Sequence, residues 1–403
     1  MVSLALCMVV KDEQANLSKT LESVKGLVDE IVVLDTGSTD NTVQIAENFG
    51  AKVETTFSWN DDFALARNKA LQIVQSDWVL VLDADEILKH EAISKIKSLI
   101  EKPGILVVNL IRHEIGASQS PYSLVSRLFR KHKAIEFTRP YHSIIDDSVS
   151  DLLIKEPNWQ ILELDEVAIL HYGYQPDVIA AGNKFERAQK AMESYLSQEG
   201  ADPYLCSKLG ALYLERGRHK EGIKLLKRGL KSNRASNPVF YELQYHLANA
   251  YVREDRLDSA IKHYKRAIEL PLQESLKLGA YNNLAAVLLS AEKWETAEEL
   301  YHIILKIDSS FAMAYYNLGL IYTHTNKFKQ AIEAYQQAIN LRRDYAEAYQ
   351  NMAVAWLKYG NHQESFAAFK RAIEIYLLKD PNKANLLINE IKAIGMNFGE
   401  PIE

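Results

Sequence analysis

The first 175 residues alternate apolar runs with segments in which apolar side chains recur at helical spacing. The apolar runs predict strands at residues 4–10, 30–34 and 78–82, and residues 52–56 are interpreted as a further short strand. The segments between them predict helices at about residues 16–24, 42–49 and 62–74. Strands and helices that alternate at this spacing form βαβ units, so we expect a mostly parallel sheet with right-handed crossovers.

Polar residues follow three of these strands, at residues 11–13, 35–40 and 83–86. Ligands of open α/β sheets bind beyond the carboxyl ends of the strands, so the three loops are expected to share one edge. Asp83 and Asp85 lie in the third loop, and closely spaced carboxylates suit a hard divalent cation that also binds phosphate. The pattern predicts a nucleotide and metal site, and the alternative is an acidic turn after a strand.

Four ordered motifs carry a resemblance to a known family. Residues 7–13 (CMVVKDE), 33–40 (VLDTGSTD) and 83–86 (DADE) resemble glycosyltransferase family 2. Residues 59–68 (WNDDFALARN) are similar to the branch that contains the sublancin-type peptide S-glycosyltransferases. The resemblance covers about residues 1–175. It implies an α/β nucleotide-sugar-binding domain of the A-type glycosyltransferase fold, an inverting mechanism, a nucleotide-sugar donor and Mg²⁺ or Mn²⁺.

The resemblance also implies which residues contact the donor. Asp35 would hydrogen-bond the uracil ring, and Arg67 would lie near the base or the diphosphate. A carboxylate at a strand end can accept a hydrogen bond from the imide N–H of uracil, and the planar guanidinium of an arginine suits phosphate. The alternative for Asp35 is a turn cap. The alternative for Arg67 is a solvated helix face or an ion pair with Asp61 or Asp62.

The implied metal ligands come from two parts of the chain. Asp85 would be the principal ligand, and Asp83 would hold the ribose or the metal. Further strands are predicted at residues 107–112, 125–130 and 166–170. The last strand is followed by the sequence HYGY, which begins at His171 and also matches the peptide-glycosyltransferase branch. This histidine resembles a third metal ligand, compatible with Mn²⁺; the alternative is a structural histidine at a strand end.

The sequence does not decide which group deprotonates the acceptor. The family branch typically has a His-Glu pair where this chain has His142 and Ser143. An inverting transfer needs a base whose pKa lies near the working pH. A thiol acceptor, already partly ionised, would need less help. The candidate bases are residues near this departure and one at the start of a predicted helix: His142, Asp146, Asp147, Glu136 and Asp62.

From about residue 203 the chain has a 34-residue period. Large, small and aromatic residues recur at fixed offsets, as in Tyr281, Tyr315 and Tyr349. The pattern resembles tetratricopeptide repeats, each a pair of antiparallel helices, and predicts an all-α solenoid over residues 203–380. Five units are predicted, followed by a capping helix and tail over residues 381–403, with the units at residues 203–236, 241–274, 278–311, 312–345 and 346–379. Residues 176–202 are interpreted as a helical bridge.

An asparagine recurs on the first helix of three successive units, as Asn283, Asn317 and Asn351. Stacked units form a superhelix with a concave face. An asparagine ladder on that face would bind the backbone of an acceptor polypeptide without reading its sequence. The alternative is that these asparagines are solvated and that the solenoid is a spacer or a dimerisation module.

Composition and charge narrow the function classes. The 403 residues suffice for two domains with their own cores, and a net charge of −6 gives no electrostatic case for nucleic acid or anionic lipid. Cys7 and Cys206 do not form a disulfide framework, which favours a reducing compartment. No apolar stretch approaches the roughly 20 residues of a membrane span, and the first apolar run is interpreted as a strand. We therefore expect a soluble cytoplasmic protein.

These observations predict a metal-dependent inverting glycosyltransferase that moves a hexose or N-acetylhexosamine from a UDP-sugar to a peptide or protein side chain. One alternative keeps the chemistry but places the sugar on a cell-envelope glycan or a lipid-linked sugar. Another is a tetratricopeptide scaffold with a degenerate transferase domain, against which the intact Asp35, Asp83 and Asp85 argue. The sugar, the acceptor atom and the oligomeric state, a homodimer included, are left open.

Overall fold

The computed structural model describes most of the chain, namely residues 2–117, 120–173, 184–199, 202–232 and 235–393. The described residues fall into two compact units. The first unit lies within residues 1–254 and 269–277, and the second within residues 255–268 and 278–403. The first unit thus contains the transferase-like region together with the first repeat helices. Tyr174, the start of the predicted bridge and the tail beyond Ala393 lie outside the described residues.

The first unit is built on one sheet of eight strands. In chain order the strands are Leu4–Val10 (β1), Glu30–Asp35 (β2), Lys52–Glu54 (β3), Trp78–Val81 (β4), Glu86–Leu88 (β5), Ile105–Glu114 (β6), Tyr122–Arg130 (β7) and Gln160–His171 (β8). Their order across the sheet is β3-β2-β1-β4-β7-β6-β8-β5. The first four strands pair in parallel, as predicted, whereas β7 pairs antiparallel with both β4 and β6. The strands β6 and β8 also pair in parallel, and β5 pairs antiparallel with β8. The sheet is therefore mixed, with four parallel and three antiparallel pairings.

Helices pack on the sheet and connect its strands. Those of the transferase-like region are Leu17–Ser23 (α1), Thr42–Asn48 (α2), Phe63–Ile73 (α3), His90–Ile100 (α4) and Asp146–Lys155 (α5). Successive residues of β1 point to opposite faces, and they enter two separate apolar clusters. Leu4, Leu6 and Met8 belong to one cluster, and Ala5 and Cys7 to the other. Both faces of β1 are thus buried, which explains its uninterrupted apolar sequence.

The repeat region consists of helix pairs, as predicted. A helix at Lys184–Glu199 (α6) precedes them, within the predicted bridge. The pairs and the final helix are Pro203–Glu215 (α7), His219–Leu230 (α8), Asn237–Arg253 (α9), Leu257–Ile268 (α10), Leu278–Ser290 (α11), Trp294–Ile307 (α12), Ala312–His324 (α13), Phe328–Leu341 (α14), Ala346–Tyr359 (α15), His362–Lys379 (α16) and Pro381–Ala393 (α17). The recurrent aromatic side chains of Tyr264, Tyr301 and Tyr335 are fully buried. Their recurrence thus reflects packing between helices. Within the described part of the chain, no helix combines the length and the apolar character that crossing a bilayer requires.

Candidate active site

The carboxyl end of β2 carries Asp35, whose side chain is buried. Its Oδ2 accepts hydrogen bonds of 2.9 Å from the backbone N–H groups of Gly37 and Ser38, and the Ser38 hydroxyl donates to Oδ1. Asp35 therefore caps its own turn, one of the two interpretations drawn from the sequence. Gly37, at a φ of +101°, supplies the left-handed backbone that the turn requires. The role of Asp35 in uracil binding stays a prediction.

The carboxyl end of β4 carries Asp83, which is held by two arginines. Arg67 Nη2 lies 2.8 Å from Asp83 Oδ1, and Arg127 Nη2 lies 2.8 Å from Oδ2. Burial alone would raise the pKa of Asp83, but the charges of Arg127 and Arg67 outweigh it and lower that pKa. Asp83 is therefore ionised. The predicted donor residues Arg67 and Asp83 are in direct contact.

Arg67 joins this strand end to a loop of the second half of the domain. Its Nη1 donates to the carbonyl oxygen of Ser143 at 3.1 Å and to the Ser143 hydroxyl at 3.3 Å, and its guanidinium lies 5.4 Å from the Phe137 ring centroid. The alternatives of a solvated helix face or an ion pair with Asp61 or Asp62 are wrong, because the side chain is mostly buried and its ionic partner is Asp83. Ser143 itself is buried in this contact.

Four charged residues of the site were not among the predicted site residues: Arg127, Arg112, Glu114 and Glu86. Glu86 is fully buried; its Oε2 accepts from the Asp83 backbone N–H at 2.9 Å, and its Oε1 lies 2.7 Å from Arg112 Nη1. Arg112 Nη2 lies 2.8 Å from Glu114 Oε1. One sequence signal could have identified two of them. Arg112 and Glu114 have opposite charges and lie two residues apart, on one face of the otherwise apolar strand β6.

His171 lies between two carboxylates at the end of β8. Its Nδ1 is 2.5 Å from Glu114 Oε2, and its Nε2 is 3.3 Å from Asp85 Oδ2. Burial alone would lower the pKa of His171, but its hydrogen bonds with Asp85 and Glu114 raise that pKa to about 9. A Cβ atom at Gly173 would lie 2.5 Å from His171 Nε2 and 3.1 Å from Asp85 Oδ2. The glycine therefore leaves open the space beside these two side chains.

This arrangement fits a divalent cation in part. A metal-bound histidine usually donates its other ring N–H to a carboxylate, and Glu114 is placed to accept that bond from Nδ1. Asp85 and the Nε2 atom of His171 would then hold the metal, which would displace the proton from Nε2 on binding. Among the described residues, however, no three His, Cys, Asp or Glu side chains are grouped so as to hold a metal ion. The predicted set of three protein ligands is not assembled, because Asp83 is bonded to arginines.

Two base candidates, His142 and Asp146, lie next to and shortly after Ser143 in the chain. The side chain of His142 is exposed to solvent, and its backbone has a left-handed φ of +52°. Desolvation by the surrounding protein, with Lys208 acting in the same direction, lowers the pKa of His142 to about 3. Asp146 begins α5 and accepts from the Ser126 hydroxyl at 3.2 Å, and desolvation raises its pKa. The Asp146 pKa therefore moves toward neutral pH and the His142 pKa moves away from it.

The other three candidates have structural partners or an exposed position. Asp62 caps α3, because its Oδ1 accepts from the Leu65 backbone N–H at 3.0 Å. Asp147 bonds Arg139 and the Thr138 hydroxyl. The side chain of Glu136 is exposed. The contacts of Asp62 and Asp147 are therefore structural, and Glu136 lies at the surface.

Two asparagines of the predicted ladder have hydrogen-bond partners within the repeat array, and the third, Asn317, is buried. Asn351 Nδ2 donates to the Tyr316 hydroxyl at 2.9 Å. Asn283 is buried and accepts from the side chain of its neighbour in the sequence at 3.1 Å. The side chains of Asn283 and Asn351 thus bond neighbours within the array, and acceptor binding by the ladder stays a prediction.

Comparison with known proteins identifies the class. A model described as glycosyl transferase family 2 matches residues 5–162, and tetratricopeptide repeat models match residues 207–273 and 312–345. An uncharacterized glycosyltransferase of Rickettsia bellii is 30% identical over 48% of this chain and 68% of its own length. The protein is therefore a glycosyltransferase with tetratricopeptide repeats. The chain belongs to glycosyltransferase family 2.

Two further relatives cover more of the chain. A TPR repeat-containing protein of Synechococcus elongatus is 45% identical over 285 residues, which make up 71% of this chain and 70% of that protein. The SPbeta prophage-derived glycosyltransferase SunS of Bacillus subtilis is 28% identical over 57% of this chain and 53% of its own length. The similarity to the Synechococcus elongatus protein thus extends over more than the length of the transferase domain.

Proposed function

We propose that the protein transfers a hexose or N-acetylhexosamine, with inversion, from a UDP-sugar to a peptide or protein side chain, and that Mn²⁺ or Mg²⁺ assists. The observation that carries this proposal is the pair formed by Asp85 and His171, with Glu114 behind the histidine and Gly173 leaving space beside it. Such a pair at the carboxyl edge of β4 suits a metal that also binds the donor diphosphate.

The residues at this edge of the sheet would have different roles. A metal held by Asp85 and His171 would stabilise the charge of the departing diphosphate as a Lewis acid. Arg67 and Arg127 present guanidinium groups within the same site, and both suit phosphate oxygens. Glu86 positions the loop by binding the Asp83 backbone N–H.

Asp146 fits the role of the base better than His142. Proton transfer is most effective when the pKa of the base is near the working pH. Desolvation moves the pKa of Asp146 in the direction of that range, whereas an imidazole with a pKa of about 3 is a weak base at pH 7. Asp146 would therefore take the proton of the acceptor, and His142, uncharged, would accept a hydrogen bond from it.

The acceptor proposal is supported by the repeats, since arrays of this kind offer extended concave surfaces to other polypeptides. The transferase site and a potential polypeptide-binding surface belong to one chain.

Calorimetry of UDP binding tests the metal and donor proposals. We expect tight binding with Mn²⁺, weak binding with EDTA, and loss of the Mn²⁺ effect in Asp85→Asn. The matched control is Asp165→Asn on the same strand as His171, where the carboxylate is 86% exposed. Equal UDP affinity with and without Mn²⁺ would remove the metal from the mechanism, and no UDP binding under either condition would overturn the donor proposal.

A further inference from the structure

The loop that carries the candidate bases is fixed to the first repeat helix. Arg139, 5% exposed, lies 2.7 Å from Asp202 Oδ2 and also pairs with Asp147. Its guanidinium lies 5.1 Å from the ring centroid of Tyr204, in the first turn of α7. Asp202 in turn caps α7 by accepting from the Leu205 backbone N–H at 2.9 Å. An arginine thus joins the loop before α5 to the start of the repeats.

A cluster of polar side chains lies on α7 and on α9, the first helices of the first two repeats. Lys208 Nζ lies 2.7 Å from Glu242 Oε1 and 5.1 Å from the Tyr204 ring centroid. The Ser207 hydroxyl donates to Glu242 Oε2 at 3.0 Å. His246 lies one helical turn beyond Glu242, on the same face of α9. We call Tyr204, Lys208, Glu242 and His246 the first-repeat patch; Lys208 and Glu242 remain partly exposed to solvent.

The patch is electrostatically close to the candidate bases. The charges of Lys208 and Glu242 both act on the pKa of His142, and the charge of Asp146 acts on that of Tyr204. One loop contacts both regions: Arg67, which binds Asp83, donates to Ser143, and Arg139, four residues before Ser143, lies against Tyr204. The first repeat therefore packs against the loop that also contacts Arg67.

We propose that the first-repeat patch is an acceptor subsite, which binds the backbone of a polypeptide next to the side chain that receives the sugar. This inference rests on the proposed glycosyltransferase function. The ammonium of Lys208 would donate to a peptide carbonyl, and the carboxylate of Glu242 would accept from a peptide N–H.

The charge balance of the patch favours a polypeptide over a phosphate-bearing lipid. Lys208 and Glu242 carry opposite charges, and desolvation lowers the pKa of His246 to about 4, so that His246 is neutral at pH 7. A subsite for a lipid phosphate would place a second negative charge beside Glu242, at a cost in affinity. The uncharged but polar peptide backbone brings no such repulsion.

Kinetics of Glu242→Gln test the inference. The donors are UDP-glucose, UDP-galactose and UDP-N-acetylglucosamine with Mn²⁺. The acceptor is a pool of dodecapeptides with a central cysteine or serine. We expect the apparent KM for the pool to rise about tenfold, the effect of one lost hydrogen bond to a charged group. Donor hydrolysis by water should stay within about twofold, because water needs no subsite.

Glu221→Gln is the matched control. Glu221 also forms an ion pair on a repeat helix, with Arg218 at 2.6 Å, and is exposed. This variant should leave the apparent KM unaltered. Equal melting temperatures of both variants and the wild type would exclude a folding effect.

The other outcomes separate the two proposals. Peptide glycosylation with an unaltered KM in Glu242→Gln overturns the subsite and leaves the proposed function standing. Transfer to polyprenyl phosphate in detergent but to no peptide overturns both the polypeptide acceptor and the subsite. An enzyme that hydrolyses the donors but modifies neither probe also overturns both. Failure to hydrolyse any of the donors overturns the UDP-sugar proposal itself.

Discussion

Replacement of Gly173 by alanine tests the metal site with the smallest possible addition. The new Cβ would lie 2.5 Å from His171 Nε2, whereas ordinary van der Waals contact begins at 3.4 Å. The imidazole would have to move by roughly 1 Å, and metal–ligand distances are kept within about 0.2 Å. Gly173→Ala should therefore remove His171 as a ligand while its bond to Glu114 keeps the ring nearby.

The expected loss of UDP affinity follows from the weaker binding of the metal. Disturbing the support of a metal ligand typically costs about 10–100-fold in metal affinity, or about 1.4 to 2.7 kcal/mol. We expect calorimetry to show UDP affinity in Mn²⁺ reduced by that factor. Affinity in EDTA should remain unaltered, since the alanine faces Asp85 and His171 and not the turn at Asp35, where uracil binding is predicted.

Two controls make the result specific. Gly26→Ala places a Cβ in open space at a φ of +75°, so it lowers stability without blocking a site. In a His171→Ala background, Gly173→Ala should add no further loss, because both changes act on the same interaction. Full Mn²⁺-dependent UDP affinity in the single Gly173→Ala variant would refute the assignment of His171 as a ligand.

The remaining predictions concern the support of the site, acid stability and the repeats. Glu86→Gln should lower the free energy of unfolding by about 2 kcal/mol and weaken UDP binding, because the mostly buried Arg112 loses one of its two carboxylate partners; equal melting and binding would contradict this. Burial alone would raise the pKa of Glu30, but hydrogen bonds from a lysine, a serine and two backbone amides lower it to about 2. Its stabilisation of about 3 kcal/mol is complete above about pH 5 and lost toward pH 2, so the difference in melting temperature between wild type and Glu30→Gln should shrink on acidification. Alanine at Asn283, Asn317 and Asn351 should raise the acceptor KM, and a lower melting temperature with unaltered KM would make the ladder purely structural.

Periodicity predicted the elements whose burial is uniform. The strands β1, β2 and β4 and the helix pairs of the repeats follow from local patterns, because each buries a complete face. The short strand β5 had no such pattern, since it has only three residues and begins at Glu86. The helices α4 and α5 also had no sequence prediction.

The partners within the site depend on sheet order, which local pattern does not determine. Asp85 lies beside His171 because β5 pairs antiparallel with β8, with Glu86 opposite His171. Arg127 reaches Asp83 because β7 is inserted between β4 and β6. The family motifs pointed to Asp85 and His171. Residues outside those motifs, such as Glu114, could be placed near them only once the order of the strands was known.

The contact of Arg139 with the first repeat has a consequence for how such an enzyme evolves. A recombination event that exchanged the chain from residue 202 onward would leave Arg139 without Asp202 and without the ring of Tyr204, so the loop before α5 would lose both contacts with the first repeat. Units beyond residue 277 belong to a separate compact unit and are free of this constraint. Gain or loss of 34-residue units is therefore expected to be tolerated there. New acceptors would then arise through changes in array length, with the catalytic residues retained.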